Sequence, residues 1–197
     1  MYSLKLSKYV ERVCPKCTLP CETIVWGYGN YKNRVVFIGE APGAEEHKLG
    51  KPFVGRSGKL LTEMLNKSNI KRELVYITNI VKCRPEGNRT PTKEEKRICA
   101  FYLNREFNIV KPEIIITLGS TATSFFIGGR ISDLVNKITK TKDNVYIYPM
   151  YHPSYVLRNG ITKETYLNSF IRLKQVLCKI FKKLDLRFKL LIEIWGK

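Results

Sequence analysis

Four short apolar runs, separated by stretches of helical pattern, constrain this chain more than any other feature. They are RVVFIG (Arg34–Gly39), VYITNIV (Val75–Val81), EIIITLG (Glu113–Gly119) and VYIYPMY (Val145–Tyr151). Each is rich in Ile, Val or Tyr and bounded by turn residues, as strands are. Between them, Lys59–Lys67 repeats Leu and Met at helical spacing. Thr92 and Glu95 form a capping box behind Pro91. Ser120–Ile127 reads as a third helix. A long last helix spans about residues 164–184, with Tyr166, Phe170, Leu173, Leu177, Ile180 and Leu184 as its apolar stripe. Strands alternating with helices predict an α/β fold: three layers, α/β/α, with a mainly parallel central sheet covered on both faces. The chain has 197 residues, 44% of them hydrophobic, and no repeat, low-complexity tract or linker. One domain over residues 1–197 is the expectation.

A mainly parallel sheet binds its ligand outside the carboxyl ends of its strands. The unusual residues of this sequence gather there: Gly39-Glu40 after the first run, Asn79 near the end of the second, Gly119 after the third, His152 just past the fourth. The loop after the first run, GEAPGAEEHKLGKPFVGRSGKLL, holds five glycines, so its backbone can approach something closely. One reading is a nucleoside-triphosphate cradle, because Gly50–Ser57 nearly matches G-x-x-x-x-G-K-[ST]. The match fails where the chemistry needs it: Arg56 replaces the lysine, and Pro52 removes a backbone donor. The better reading is a base pocket, with Phe53 offering a ring face to a flat ligand. The plain alternative is that Phe53 is a core residue pinning the loop.

Charge narrows the partner. Lys and Arg number 35 against 17 Asp and Glu, a net +18, which favours a polyanion. Nucleic acid fits better than a membrane surface, since no amphipathic anchor, lipidation site or membrane-spanning run is present. The N-terminal MYSLKLSKYVERVC has scattered charges and no apolar signal core, so an intracellular, cytoplasmic protein is expected.

In that compartment the six cysteines, at 14, 17, 21, 83, 99 and 178, are expected to be reduced, metal-bound or catalytic rather than disulfide-paired, an intracellular hyperthermophile protein being the exception. C-x2-C at Cys14 and Cys17 is half of a metal site, and Cys83 with Cys99 offers another half. Spacing alone suits zinc and iron–sulfur equally, and leaves Cys21 as a rival ligand. Cys178 reads as a small apolar residue of the last helix.

Taken in order, GEAPG…GKPFVGRSG, YITNIVKCRP, IITLG and MYHPSYVLR resemble the family 4 uracil-DNA glycosylases, the iron–sulfur branch of that superfamily. The resemblance runs from Cys14 to about residue 158. It implies an enzyme of DNA base excision repair, which flips uracil out of DNA and hydrolyses its N-glycosidic bond. It implies Glu40, Ala41, Pro42, Phe53, Asn79 and His152 around the uracil, with Phe53 stacking on the base and His152 facing O2. It implies a [4Fe–4S] cluster on Cys14, Cys17, Cys83 and Cys99. The sequence departs from the family pattern at His47, where a carboxylate is common, and Ala41 stands where the better-known branch carries its water-activating Asp. Glu40 is the nearest replacement by sequence, so His152 and Glu40 are the catalytic candidates.

The residue types suit this chemistry. Cleaving the glycosidic bond leaves negative charge on uracil O2, and a neutral imidazole at His152 can donate to it. Asn79 offers an acceptor and a donor, the complement of uracil N3–H and O4 and the reverse of what cytosine presents. The plain alternatives are that Asn79 caps the turn after its strand and His152 a turn before Pro153. Tyr155, Val156 and Leu157 are candidate wedges into the duplex, the alternative being that Val156 and Leu157 begin the C-terminal packing. Arg158, Lys82 and Arg84 are candidates for phosphate contact. A monomer acting on uracil-containing DNA is expected; a sliding-clamp partner is not legible. The readings from other classes are a nucleotide-binding phosphotransferase and a non-catalytic iron–sulfur nucleic-acid-binding module.

Overall fold

The computed structural model describes residues 17–183. Its sheet has six strands: β1 (Tyr28–Gly29), β2 (Val35–Gly39), β3 (Tyr76–Asn79), β4 (Ile114–Leu118), β5 (Thr139–Lys140) and β6 (Tyr146–Met150). They lie in the order β1-β3-β2-β4-β6-β5. The four inner strands are parallel, and the two-residue edges β1 and β5 pair antiparallel. The helices are α1 (Ala44–Leu49), α2 (Arg56–Lys67), α3 (Lys93–Val110), α4 (Ser120–Phe126), α5 (Ile131–Leu134), α6 (Pro153–Leu157) and α7 (Lys163–Lys183).

Successive residues of a strand point to opposite faces, and here both faces are buried. Val35 and Phe37 of β2 join Ile114 and Ile116 of β4 in a core closed by Leu61 and Leu65 of α2 and by Tyr166, Phe170, Leu173 and Leu177 of α7. Val36 and Ile38, with Ile115 and Ile147, face the other way into a core closed by Tyr102 and Leu103 of α3 and Ala122 of α4. The three-layer α/β/α arrangement expected from the alternation is the one observed. The apolar stripe of the last helix is buried as read from Tyr166 to Ile180, while Leu184 lies outside the described residues. The capping box of α3 is formed: Thr92 Oγ1 accepts the Glu95 N–H at 3.1 Å, and Glu95 accepts the Thr92 N–H at 2.7 Å.

The chain enters the middle of the sheet at β2, steps to β3 on one side and then to β4 on the other. That reversal opens a crevice at the carboxyl ends of these strands.

Candidate active site

A cavity of about 520 Å³ occupies this crevice. Its wall brings together residues from five separate segments of the chain. Glu40, Ala41 and Pro42 follow β2, and Phe53 comes from the glycine-rich loop. Asn79 ends β3, Gly119 and Ser120 follow β4, and His152 follows β6. All six residues expected around the base therefore share one cavity. Arg89 and Arg158 lie at the same wall.

The glycine-rich loop is held in place by a carboxylate. Glu46, buried in α1, accepts the N–H groups of Val54 and Gly55 at 2.8 Å each and of Gly43 at 3.1 Å. Three backbone donors on one carboxylate close the loop on itself. Arg72 fastens it from below, donating to the carbonyls of Phe53 at 2.9 Å and Pro52 at 3.2 Å. Phe53 itself sits at φ +52, an uncommon conformation for a bulky side chain. The loop needs a glycine at 58, because a Cβ there would lie 1.9 Å from the Phe53 carbonyl oxygen. Gly39 is needed for another reason: a Cβ there would lie 2.5 Å from Asn79 Oδ1 and 2.6 Å from Phe53 Cζ. These two groups converge on the space that Gly39 leaves open. Phe53 is both things the sequence allowed, a buried member of the core and a wall of the cavity. Its ring centroid is 5.9 Å from that of His152.

His152 caps α6. The Ser154 backbone N–H donates to its Nδ1 at 3.1 Å, and the Ser154 hydroxyl lies 2.8 Å from the same atom. A ring nitrogen that accepts a hydrogen bond carries no proton, so the neutral ring carries its proton on Nε2. Enclosure of the imidazole, with the positive charge of Arg158 nearby, brings its pKa down to about 4. At neutral pH this ring is an uncharged N–H donor. Asn79 is 2% exposed, and its Oδ1 is buried with no hydrogen-bond partner. Buried acceptors are nearly always paired, so a lone one on a cavity wall points to a ligand donor.

Comparison with known proteins decides the family. The model of the uracil DNA glycosylase superfamily matches residues 26–174. The type-4 uracil-DNA glycosylase of Thermotoga maritima is 48% identical over 160 residues, covering 76% of this chain and 81% of the relative. That of Archaeoglobus fulgidus is 39% identical over 174 residues, 83% and 87%. That of Saccharolobus solfataricus is 39% identical over 190 residues, 90% and 88%. The chain belongs to the uracil-DNA glycosylase superfamily, in its type-4 branch.

Against this glycosylase framework two DNA-contact expectations are corrected. Lys82 does not reach for phosphates: it is 1% exposed, and its ammonium meets Glu106 Oε2 at 2.6 Å inside the protein. A lysine can be buried when a carboxylate and further acceptors satisfy it, and here they do. Val156 is no free wedge, because the single turn of α6 carries it back into the core, where it is 5% exposed. Leu157 is half-buried against that core, Tyr155 is exposed beside Tyr151, and Arg158 is exposed. Arg84 is half-buried and donates to Asn88 Oδ1 at 2.8 Å. Glu46, Arg72 and Ser154 were not singled out from the sequence. Glu46 carried a faint signal, three residues after the glycine that begins its helix.

The cysteines form a second centre behind β3. Cys17, Cys83 and Cys99 line one narrow cleft with Leu19, Ile98 and Tyr102. The Lys82 backbone N–H donates to Cys99 Sγ at 3.2 Å. Thr18 donates to Glu95 at 2.9 Å, tying the segment after Cys17 to the helix that carries Cys99. The expectation of unpaired cysteines is corrected at one pair. The turn after β3 brings Cys83 to a Cα separation of 5.2 Å from Cys21, and a disulfide joins them. Cys14 lies outside the described residues. Among the described residues no group of three or more His, Cys, Asp or Glu side chains is arranged to hold a metal ion. Cys17 and Cys99 stand outside the disulfide on this cleft, with a backbone N–H on the Cys99 sulfur, and the donors fit a thiolate-ligated centre only with Cys83 reduced. Cys178 packs half-buried against the core, as read. No described helix is long and apolar enough to cross a membrane.

Proposed function

We propose that this single-domain protein is a monofunctional uracil-DNA glycosylase of base excision repair, and that the strand-end cavity receives a uracil flipped out of DNA. The observation that carries the reading is the buried, unpartnered Asn79 Oδ1 on the cavity wall. Uracil N3–H supplies the donor it lacks, and the carboxamide NH2 donates to O4. Cytosine presents an unprotonated N3 and an amino group, so both contacts reverse and the base is rejected. Phe53 stacks on the ring, and Glu40, Ala41 and Pro42 close the pocket behind it.

As the bond to C1′ breaks, charge gathers on uracil O2. His152 donates its Nε2–H there, held in that tautomer by Ser154. A neutral donor already in position stabilises the developing anion without reorganising. Glu40 is the candidate for orienting the attacking water. Water as nucleophile leaves an intact abasic site. Tyr155 and Leu157 face the duplex, and Arg158 and Arg84 take phosphates.

Cys14, Cys17, Cys83 and Cys99 would hold the [4Fe–4S] cluster, with Cys83 as a thiolate rather than in its disulfide and Cys21 as the rival ligand. When bound, the cluster supplies a structural tie between the N-terminal segment, the turn after β3 and α3, and no step of the reaction runs through it. Anaerobically purified protein should contain iron and acid-labile sulfide; stoichiometric zinc without iron would sink this assignment.

The test of the reaction is release of uracil from an oligonucleotide containing one uracil. Free uracil and an intact abasic site are expected, with no adduct trapped by borohydride. DNA binding without base release would favour a non-catalytic binding module, and tight nucleoside-triphosphate binding a phosphotransferase.

A further inference from the structure

We propose that Lys82 is a positioning residue for Asn79, and that Glu106 is buried in order to hold Lys82 in that task. The proposal rests on Asn79 as the reader of the base edge. Lys82 follows Asn79 by three residues, and its side chain folds back beneath the end of β3. Its ammonium has three donors and three acceptors: the Asn79 carbonyl at 2.8 Å, Thr78 Oγ1 at 2.7 Å and Glu106 Oε2 at 2.6 Å. The Thr78 hydroxyl donates onward to Glu106 Oε2 at 2.8 Å, and Glu106 Oε1 accepts the Gly27 N–H at 2.7 Å. The backbone of Lys82 is pinned as well, by the Val25 N–H on its carbonyl at 2.8 Å and by its own N–H on Cys99 Sγ at 3.2 Å.

Two features make this more than packing. First, Asn79 Oδ1 has no protein partner, so the base-reading oxygen depends on its backbone for its place. β1 pairs only with Tyr76 and Ile77, so on that side the ladder ends before Thr78 and Asn79. Lys82 supplies the Asn79 carbonyl with a donor beyond that end. Second, a buried ion pair is a costly filler, and an apolar side chain of similar size commonly stabilises as well or better. An apolar filler would leave the Asn79 carbonyl without its donor, and only the ammonium can reach three acceptors at once.

The test compares Lys82→Met/Glu106→Gln with the parent. Removing both charges avoids stranding a lone buried carboxylate. Melting temperature, the maximal single-turnover rate and the half-saturating concentration of uracil-containing DNA are measured. Asn79 binds the base in ground and transition states alike, so loss of its placement falls on saturation. Half-saturation should rise about tenfold, the worth of one well-placed hydrogen bond, with a far smaller change in maximal rate. In an Asn79→Ala background the same pair of changes should add nothing further.

A loss of active fraction with unchanged half-saturation would overturn the proposal, as would an additive effect in the Asn79→Ala background. If Asn79→Ala raises half-saturation and the double variant does not, Lys82 is no positioning residue and the reading of Asn79 stands. If Asn79→Ala itself leaves half-saturation unchanged, that reading falls and the proposal with it. Should the double variant fail to fold, Thr78→Val removes one acceptor of the ammonium while keeping shape. It should raise half-saturation in the same direction by a smaller factor, and no rise would overturn the proposal.

Discussion

The wall of the cavity and the layer beneath it treat buried polarity in opposite ways. At the wall, Asn79 Oδ1 is buried without a partner, and Phe53 holds a left-handed backbone at φ +52. In the layer beneath, Lys82, Thr78 and Glu106 satisfy one another at 2.6 to 2.8 Å. Asn79 Oδ1 is the unpartnered atom that lies on the cavity wall, whereas the buried hydroxyls of Tyr76 and Tyr166 lack partners away from it. The difference separates reading and chemistry from support, and substitutions on the two sides should fail in different ways.

The largest effect is expected at the wall. His152→Ala should slow single-turnover cleavage by about 100- to 1000-fold, the usual cost of one preorganised donor, while leaving affinity for uracil-containing DNA nearly unchanged. Cleavage at the parent rate would remove His152 from the chemistry. Next comes the support. Glu46→Ala strands the amides of Gly43, Val54 and Gly55 and should cost about 1–3 kcal/mol of stability in a denaturant titration. Exposed Glu45→Ala should cost almost nothing. Equal losses at the two positions would show that the Glu46 carboxylate does not hold the loop.

A smaller effect concerns pH. The folded His152 pKa of about 4 lies below the ordinary 6.5, so the unfolded chain takes up the proton first as pH falls. The contribution of this residue to stability is complete above about 6.5 and is lost as pH falls toward about 4. The difference in stability between the parent and His152→Gln, followed across that window, checks the sign. The mildest expectation concerns the exposed cations. DNA binding should weaken with salt at a log–log slope of about −0.9 per phosphate contact, and Arg158→Gln should lower that slope by about one contact. An unchanged slope would take Arg158 off the DNA.

The central sheet was legible because each inner strand is a compact apolar run, and observed β2, β4 and β6 fall within one residue of the runs at each end. The edges β1 and β5 were not, since two-residue strands carry no pattern. α1 hid inside a stretch rich in glycine and proline. The wall was legible through the strand-end rule, which needs only the order of strands and the odd residues after them. The support was not. Lysine is normally a surface residue, and the partner that buries Lys82 lies 24 residues away on another element. Val156 was legible only as a choice between wedge and packing, and the single helical turn that dips back into the core decides for packing.

The central claim is that Asn79 selects the base. Single-turnover release of uracil and of cytosine by the parent and by Asn79→Asp, on otherwise identical oligonucleotides, tests it most directly. A carboxylate can accept from the cytosine amino group but cannot donate to uracil O4, so the account predicts slower uracil release and a narrowed preference for uracil over cytosine. An Asn79→Asp protein that keeps both the parent rate on uracil and the full preference would contradict it.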